Sequence, residues 1–147
     1  MSPRAGETNL PVLLSTLDPT VASDVFVFLT TKKSIDDLPL KSLQPQMLFQ
    51  ESEGTTIITT KALAEAHGYD DYVFTCKKIT ISVHSSLEAV GMTAAIASEF
   101  ANHGIASNVV SAYFHDHIFV PLGTEDKALQ VLKDMMVKAK STSFKIA

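Results

Sequence analysis

Two histidines flank an aspartate in the tripeptide His115-Asp116-His117, in a chain of 147 residues that contains only 5 histidines. Side chains two residues apart on a β-strand lie on one face, so both imidazoles could bind the same metal ion. A metal site needs three or four ligands, and the flanking sequence offers only Asp116, on the opposite face. A hairpin turn, a contact with a ligand or partner, and a metal site stay open, and the turn is favoured. We therefore predict no metal site and no cofactor.

The sequence lacks the residues that nucleophilic catalysis and nucleotide binding require. Cys76 is the single cysteine and has no histidine nearby in the sequence, so we expect a packed side chain rather than a nucleophile. The sequence has no P-loop, no dinucleotide-binding glycine motif and no G-x-S-x-G motif. No pair of carboxylates has a clear catalytic spacing. We predict no catalytic residues and a protein that is not an enzyme, with His84 or His115 acting as a base as a weaker alternative.

A second polar cluster, residues 85–88 (SSLE), joins a strand-like run to a helix-like run. Ser85 and Glu88 have the spacing of a capping box, which would begin the helix at Ser86 and make the cluster structural. Alternatively, the helix begins near Val90 and the preceding residues form a loop. In both cases the backbone N–H groups at the start of the helix suit a carboxylate such as that of an amino acid.

Hydrophobic periodicity predicts the elements that must position these residues. Strands are predicted at residues 24–31, 78–84, 105–113 and 117–122, with a hairpin at residues 46–60 that turns at residues 51–54. Helices are predicted after Thr8 or Asn9, at residues 61–67, before Gly104 and after Thr124. We interpret residues 32–43 as a loop or a frayed helix, and residues 142–146 as a short edge strand.

The two halves of the chain repeat one pattern. Residues 48–66 match residues 111–132 in element order, namely strand, tight turn, strand, short link and a helix containing Lys-Ala-Leu. In this alignment His115-Asp116-His117 falls on the turn of the first half. Halves this small cannot easily close separate cores, so we predict a duplicated fold with domains at residues 1–75 and 76–147.

Composition narrows the possible partners. The formal net charge is -4, and no Lys/Arg cluster is larger than a pair, which argues against nucleic acid. No apolar run is long enough to cross a membrane, and the N-terminal residues lack the apolar core of an export signal. With its single cysteine, the protein is expected to be cytoplasmic. Unpaired strand edges favour association, so we expect a homodimer.

The residues from 90 to 105, VGMTAAIASEFANHGI, resemble the helix of an ACT domain. Gly91 takes the place of the family's glycine at the loop exit, Met92 and the following apolar positions match, and Gly104 closes the helix. The chain from about residue 7 to residue 140 resembles small tandem ACT-like proteins. These are related to the regulatory domains of aspartate kinases and to CASTOR-type amino-acid sensors.

The resemblance implies an α+β fold of two ferredoxin-like βαββαβ halves, with antiparallel sheets and helices on one face. It also implies a regulatory module that binds a small molecule, an amino acid, and responds through the arrangement of its halves. The implied ligand-binding residues are Ser85, Ser86, Leu87, Glu88, Val90, Gly91, Met92, Ser107 and Asn108. For the last two, a solvated strand face is the alternative. The rival function is a protein-protein interaction module without a metabolite.

Overall fold

The computed structural model describes residues 6–146, with side chains described through residue 142. In chain order its helices are α1 (Leu10–Ser15), α2 (Leu40–Leu43), α3 (Lys61–Ala66), α4 (Met92–Asn102) and α5 (Glu125–Ile146), with a 3-10 turn at Ile35–Asp37. The strands are β1 (Pro19–Val21), β2 (Phe26–Thr31), β3 (Met47–Glu51), β4 (Gly54–Thr60), β5 (Val73–Ile81), β6 (Asn108–Ser111) and β7 (Asp116–Pro121).

The chain divides into two compact units. The central unit comprises Ser23–Lys77. Of the described residues, the composite unit comprises 6–22 together with 78–146. Strand β5 begins in the central unit and ends in the composite unit. The segment that contains α1 and β1 therefore belongs with the C-terminal half of the chain.

The central unit is an antiparallel sheet in the order β3-β4-β2-β5. Its hairpin turns at Ser52 and Glu53, between the paired residues Glu51 and Gly54, as the sequence predicts. Helix α3 begins where Thr60 Oγ1 accepts a hydrogen bond of 3.1 Å from Leu63 N–H. The buried core consists of Val27, Leu29, Leu38, Leu43, Ile57 and Ala64.

The composite unit is a sheet in the order β1-β5-β7-β6 that is covered by α1, α4 and α5. Asn9 caps α1, since its side chain accepts a hydrogen bond from Val12 N–H at 3.1 Å. Strand β7 alternates its faces, so Ile118 and Val120 enter the core under the helices. The fully buried side chains of this core include Leu13, Leu17, Ile79, Ile81, Ile96, Phe100, Ile118, Val120 and Leu132.

Three local predictions differ from the structure. Helix α4 begins at Met92, so the capping-box interpretation was wrong and the loop alternative is confirmed. Residues 142–146 continue α5 instead of forming an edge strand, because the helix meets no proline or glycine and Thr142 Oγ1 donates to Lys138 O. His115-Asp116-His117 does not form the hairpin tip. The pair Ser111 and Asp116 closes that hairpin, and β7 begins at Asp116.

Candidate functional site

The loop between β5 and α4, residues 82–91, is ordered by its own serines. Ser86 Oγ accepts a hydrogen bond from Glu88 N–H at 3.1 Å, and Ser86 O accepts one from Ala89 N–H at 3.0 Å. Ser85 is buried, and its N–H donates to Val83 O at 3.0 Å. The serines therefore form a tight turn before the helix, in which Ser86 supplies the local bond that a capping box would have assigned to Ser85.

Helix α4 starts without a side-chain cap. Its first flanking residue, Gly91, has φ 101°, a conformation that side chains strongly disfavour, and it offers no oxygen beyond the backbone. The first helical bond closes from Ala95 N–H to Gly91 O at 2.9 Å. The first-turn N–H groups and the positive end of the helix dipole are thus available to an anion.

Asp116 is the buried charged residue of this region. It is only 6% exposed, and it lies on the same face of β7 as Ile118 and Val120. Its Oδ2 accepts a hydrogen bond from Ser85 Oγ at 3.2 Å, which joins β7 to the loop. Within the described residues no cation pairs with this carboxylate. A buried carboxylate is rarely stable without a charge partner, so this one is suited to a cationic ligand group.

Two small cavities border the loop. The first, of about 110 Å³, is lined by Ser85, Ser86, Leu87, Ala89, Met92, Thr93, Ser111 and Asp116. The second, of about 230 Å³, is lined by Gly6, His84, Ser85, Ser86, Leu87, Glu88 and Tyr113. We call the first the Asp116 cavity. It brings together a buried carboxylate, several hydroxyl groups and the uncapped start of a helix.

The predicted binding residues are distributed unequally around this cavity. Four of them line it, namely Ser85, Ser86, Leu87 and Met92, and Gly91 precedes the helix that closes it. Glu88 lines the second cavity, and Val90 is 82% exposed. Ser107 and Asn108 line neither of the two. Asn108 begins the edge strand β6, opposite Phe119.

Four residues of the Asp116 cavity were not predicted from the sequence, namely Ala89, Thr93, Ser111 and Asp116. A signal for Asp116 was present, since it stands two residues before Ile118 and four before Val120, in phase with the buried face of a strand. A carboxylate on the buried face of a strand indicates a site more strongly than one in a turn does.

Two sequence models of the ACT domain match the chain in tandem, one over residues 5–77 and the other over residues 73–134. The chain belongs to the ACT-domain family. The resemblance seen in the sequence is therefore confirmed, together with the α+β fold of two ferredoxin-like halves. ACT domains are typically regulatory modules that bind small molecules such as amino acids, and they are not catalytic.

Several solved structures are similar to this tandem ACT protein. A Vibrio cholerae protein of unknown function, described as a possible transport protein, is 38% identical with a TM-score of 0.77, covering 86% of this chain and 95% of that one. The regulatory subunits of aspartate kinase from Thermus thermophilus and Thermus flavus are 13% and 11% identical, with TM-scores of 0.58 and 0.56. Both alignments cover 82% of this chain, and 97% and 98% of the subunits, respectively. At these identities the two subunits show the fold alone. No curated protein matches the sequence.

None of the five histidines lines the Asp116 cavity, although His115 and His117 are the sequence neighbours of Asp116. His117 Nδ1 is 3.0 Å from Thr80 Oγ1, and burial lowers the pKa of His117, with smaller contributions from the nearby positive charge of Lys78 and from His115. His115 Nδ1 is buried without a hydrogen-bond partner. Across residues 6–146, no group of three or more His, Cys, Asp or Glu side chains is arranged to hold a metal ion.

Cys76 is a core residue of the central unit. Its thiol is fully buried and donates to Phe26 O at 3.4 Å, and burial raises the pKa of Cys76 to about 12. A thiol with this pKa is protonated at neutral pH and is a poor nucleophile. The prediction of a packed side chain is confirmed.

A larger groove of about 610 Å³ lies between α1, α4 and α5. Its apolar lining includes Leu14, Ala95 and Val131, and its charged residues, such as Glu99 and Asp134, are at least partly exposed to water. No buried polar group in the groove requires a ligand partner. The Asp116 cavity is smaller, but it is the better candidate site because a buried charge lines it. Among residues 6–146, no helix combines the length and apolar character needed to cross a bilayer.

Proposed function

We propose that this tandem ACT protein is a regulatory module that binds an amino acid in the Asp116 cavity. The observation that carries the proposal is Asp116, a carboxylate that is 6% exposed and has a neutral hydroxyl, Ser85 Oγ, as its side-chain partner. Removing a carboxylate from water is unfavourable unless a cation or several donors replace the lost hydration. The α-ammonium group of an amino acid would supply both a charge and three donors.

The cavity also contains donors for the negatively charged α-carboxylate of the ligand. Met92 and Thr93 form the first turn of α4, and both line the same cavity as Asp116. Because no side chain caps this turn, its N–H groups can donate to the α-carboxylate of the ligand. A group with one positive and one negative charge matches this pair of sites, whereas a simple anion would be repelled by Asp116.

Hydroxyl groups and limited space define the remainder of the cavity. Ser86, Thr93 and Ser111 line it with polar groups, and its volume of about 110 Å³ favours a small side chain on the ligand. Glu88, Val90, Ser107 and Asn108 lie outside it. We retain them as proposed ligand contacts in a homodimer, in which a second copy pairs with the exposed edge of β6.

Regulation would follow from unequal affinity for two arrangements of the protein. A ligand that bridges Asp116 on β7 and the first turn of α4 fixes the loop that joins β5 to α4. The ligand stabilises the arrangement that requires the ordered loop, to the extent that it binds this arrangement more tightly than the other. A partner that contacts the loop would then report ligand occupancy.

A thermal-shift screen with each of the twenty standard L-amino acids tests the proposal. An amino acid at about 100 times its dissociation constant is expected to stabilise the protein by about 2.7 kcal/mol, because it binds the folded state only. The expected hits have small side chains. Absence of stabilisation by every amino acid at concentrations far above physiological levels would overturn the proposed function.

A second function, protein-protein interaction without a metabolite, is favoured by one specific observation. Phe49 is 62% exposed on β3, which lies at the edge of the sheet of the central unit. An exposed aromatic side chain on an open strand edge suits pairing with another strand. Sedimentation of the wild type and of Phe49→Ser would distinguish the two functions, since only an interaction surface at β3 predicts altered self-association or partner binding in the variant.

A further inference from the structure

The N-terminal residues 6–10, which we call the strap, lie against the loop of the proposed site. Glu7 forms a parallel bridge with Ser85. Its N–H donates to His84 O at 2.9 Å, and its carbonyl accepts from Ser86 N–H at 2.9 Å. Two backbone hydrogen bonds therefore attach the strap to His84 and Ser86, on either side of Ser85, whose hydroxyl binds Asp116.

The close approach of the strap depends on Gly6. A Cβ atom at this position would lie 2.4 Å from Ser86 N and 2.7 Å from Ser85 C. Both neighbours are backbone atoms, so no side-chain rotation could relieve the contact. Any residue other than glycine at position 6 must move the strap away from the loop.

The other end of the strap is fixed to α1. Glu7 Oε1 accepts hydrogen bonds of 2.8 Å from the N–H groups of Thr8 and Asn9, and these bonds hold the pKa of Glu7 below its usual range. Asn9 caps α1. Leu10 lies close to Gly91, because a Cβ atom added to Gly91 would be 3.3 Å from Leu10 Cδ2. The strap thus lies against the middle of the loop, at Ser85 and Ser86, and close to its end, at Gly91.

We propose that the strap is the regulatory clamp of the amino-acid site: attached, it holds residues 85–91 in the binding geometry, and detached, it releases them. The proposal rests on the proposed function of the Asp116 cavity. A loop that is already ordered does not have to be ordered by the ligand, so the attached state binds more tightly. A partner or modification that displaces the strap would lower the affinity without touching the cavity.

Gly6→Ala tests the clamp, with Gly104→Ala as the control. Gly104 closes α4 at φ 69° and a Cβ there meets nothing within 4 Å, so that variant carries backbone strain without disturbing the strap. Hydrogen exchange of the Ser86 amide, measured by NMR without any ligand, is the first readout. We expect exchange to be about 5- to 30-fold faster in Gly6→Ala than in wild type, corresponding to the loss of one or two net hydrogen bonds, and unchanged in Gly104→Ala.

The second readout is the thermal shift produced by a mixture of the twenty standard L-amino acids. We expect this shift in wild type and Gly104→Ala, and a reduced shift in Gly6→Ala. Glu7→Pro removes the N–H bond to His84 without adding bulk at residue 6, and it should reproduce both effects if Gly6→Ala folds poorly.

Each outcome decides between the alternatives. Faster exchange together with a reduced shift supports the clamp. Unchanged exchange of the Ser86 amide in both Gly6→Ala and Glu7→Pro would overturn the clamp. Faster exchange with an undiminished thermal shift by amino acids would also overturn it. If amino acids produce no thermal shift in wild type, the proposed function is wrong, and so is the regulatory role of the strap. Faster exchange in Gly6→Ala would then show only that the strap stabilises the loop.

Discussion

Ser85 Oγ donates a hydrogen bond to Asp116 Oδ2 at 3.2 Å, although the two residues are 31 positions apart in the sequence. The bond connects the loop that follows β5 to the first residue of β7. It leaves the carboxylate with a neutral partner and places it in a cavity that also contains the start of α4. The proposed amino-acid site depends on this one relationship, because the bond fixes both the loop and the charge.

Removal of the Ser85 hydroxyl is expected to destabilise the protein. In Ser85→Ala the buried Asp116 carboxylate loses its side-chain partner, at a cost of about 1–3 kcal/mol. Urea denaturation measures this change. Ser98→Ala, an exposed position on α4, is the matched control and should alter the free energy of unfolding by less than about 0.5 kcal/mol. Equal effects for the two variants would show that the bond to Asp116 contributes nothing.

Gly91 offers a test of the start of α4. Its φ of 101° nearly equals the 98° of Gly123, but a Cβ on Gly91 would lie 3.3 Å from Leu10, whereas one on Gly123 meets nothing within 4 Å. Alanine at either position should cost about 1–3 kcal/mol in backbone strain. Only Gly91→Ala should also weaken amino-acid stabilisation. Equal loss of stabilisation in Gly123→Ala would remove the start of α4 from the site.

The lowered pKa of His117 predicts that the stability of the protein depends on pH. Burial lowers its pKa in the folded state below the ordinary value of 6.5, so the unfolded chain binds the proton more readily. The resulting stability is fully present above about pH 6.5 and is lost as the pH falls toward the lower folded-state pKa. Urea denaturation between pH 7.5 and about pH 5 should show a smaller loss in His117→Gln than in wild type. Superimposable pH profiles would contradict this assignment.

Cys76 should be unreactive in the folded protein. Its buried thiol has a pKa of about 12, so a thiol reagent at pH 8 finds almost no accessible thiolate. The expected result is labelling in urea and essentially none under native conditions, as measured by mass spectrometry. Rapid native labelling would show that the central unit opens readily near β5.

Local patterns in the sequence predicted most of the elements, because these depend on periodicity and turn residues. The hairpin at Ser52 and Glu53 and the cap at Asn9 are of this kind. The alignment of the halves failed at the second hairpin, where the four residues 112–115 replace the two of the first. That difference moved Asp116 from the predicted turn onto the buried face of β7.

Contacts between distant segments explain the remaining differences. The bridge between Glu7 and Ser85 and the bond from Ser85 to Asp116 join residues that no local pattern relates. The same limit applies to residues 6–22, because periodicity predicts helix α1 but does not show which half of the chain the helix packs against. At the C-terminus, a serine- and threonine-rich segment continues α5, since extension of an existing helix overrides weak local preference.

The most direct test of the amino-acid site compares Asp116→Asn with Asp134→Asn in the thermal-shift screen. Asparagine has the shape of aspartate and can still accept from Ser85, but it lacks the charge that would pair with an ammonium group. Asp134 lines the groove between the helices, so its variant reports on that alternative site. We expect Asp116→Asn to fold and to lose stabilisation by amino acids, whereas Asp134→Asn should retain it. If amino acids stabilise Asp116→Asn as strongly as wild type, Asp116 does not bind the ligand and the proposed site is wrong.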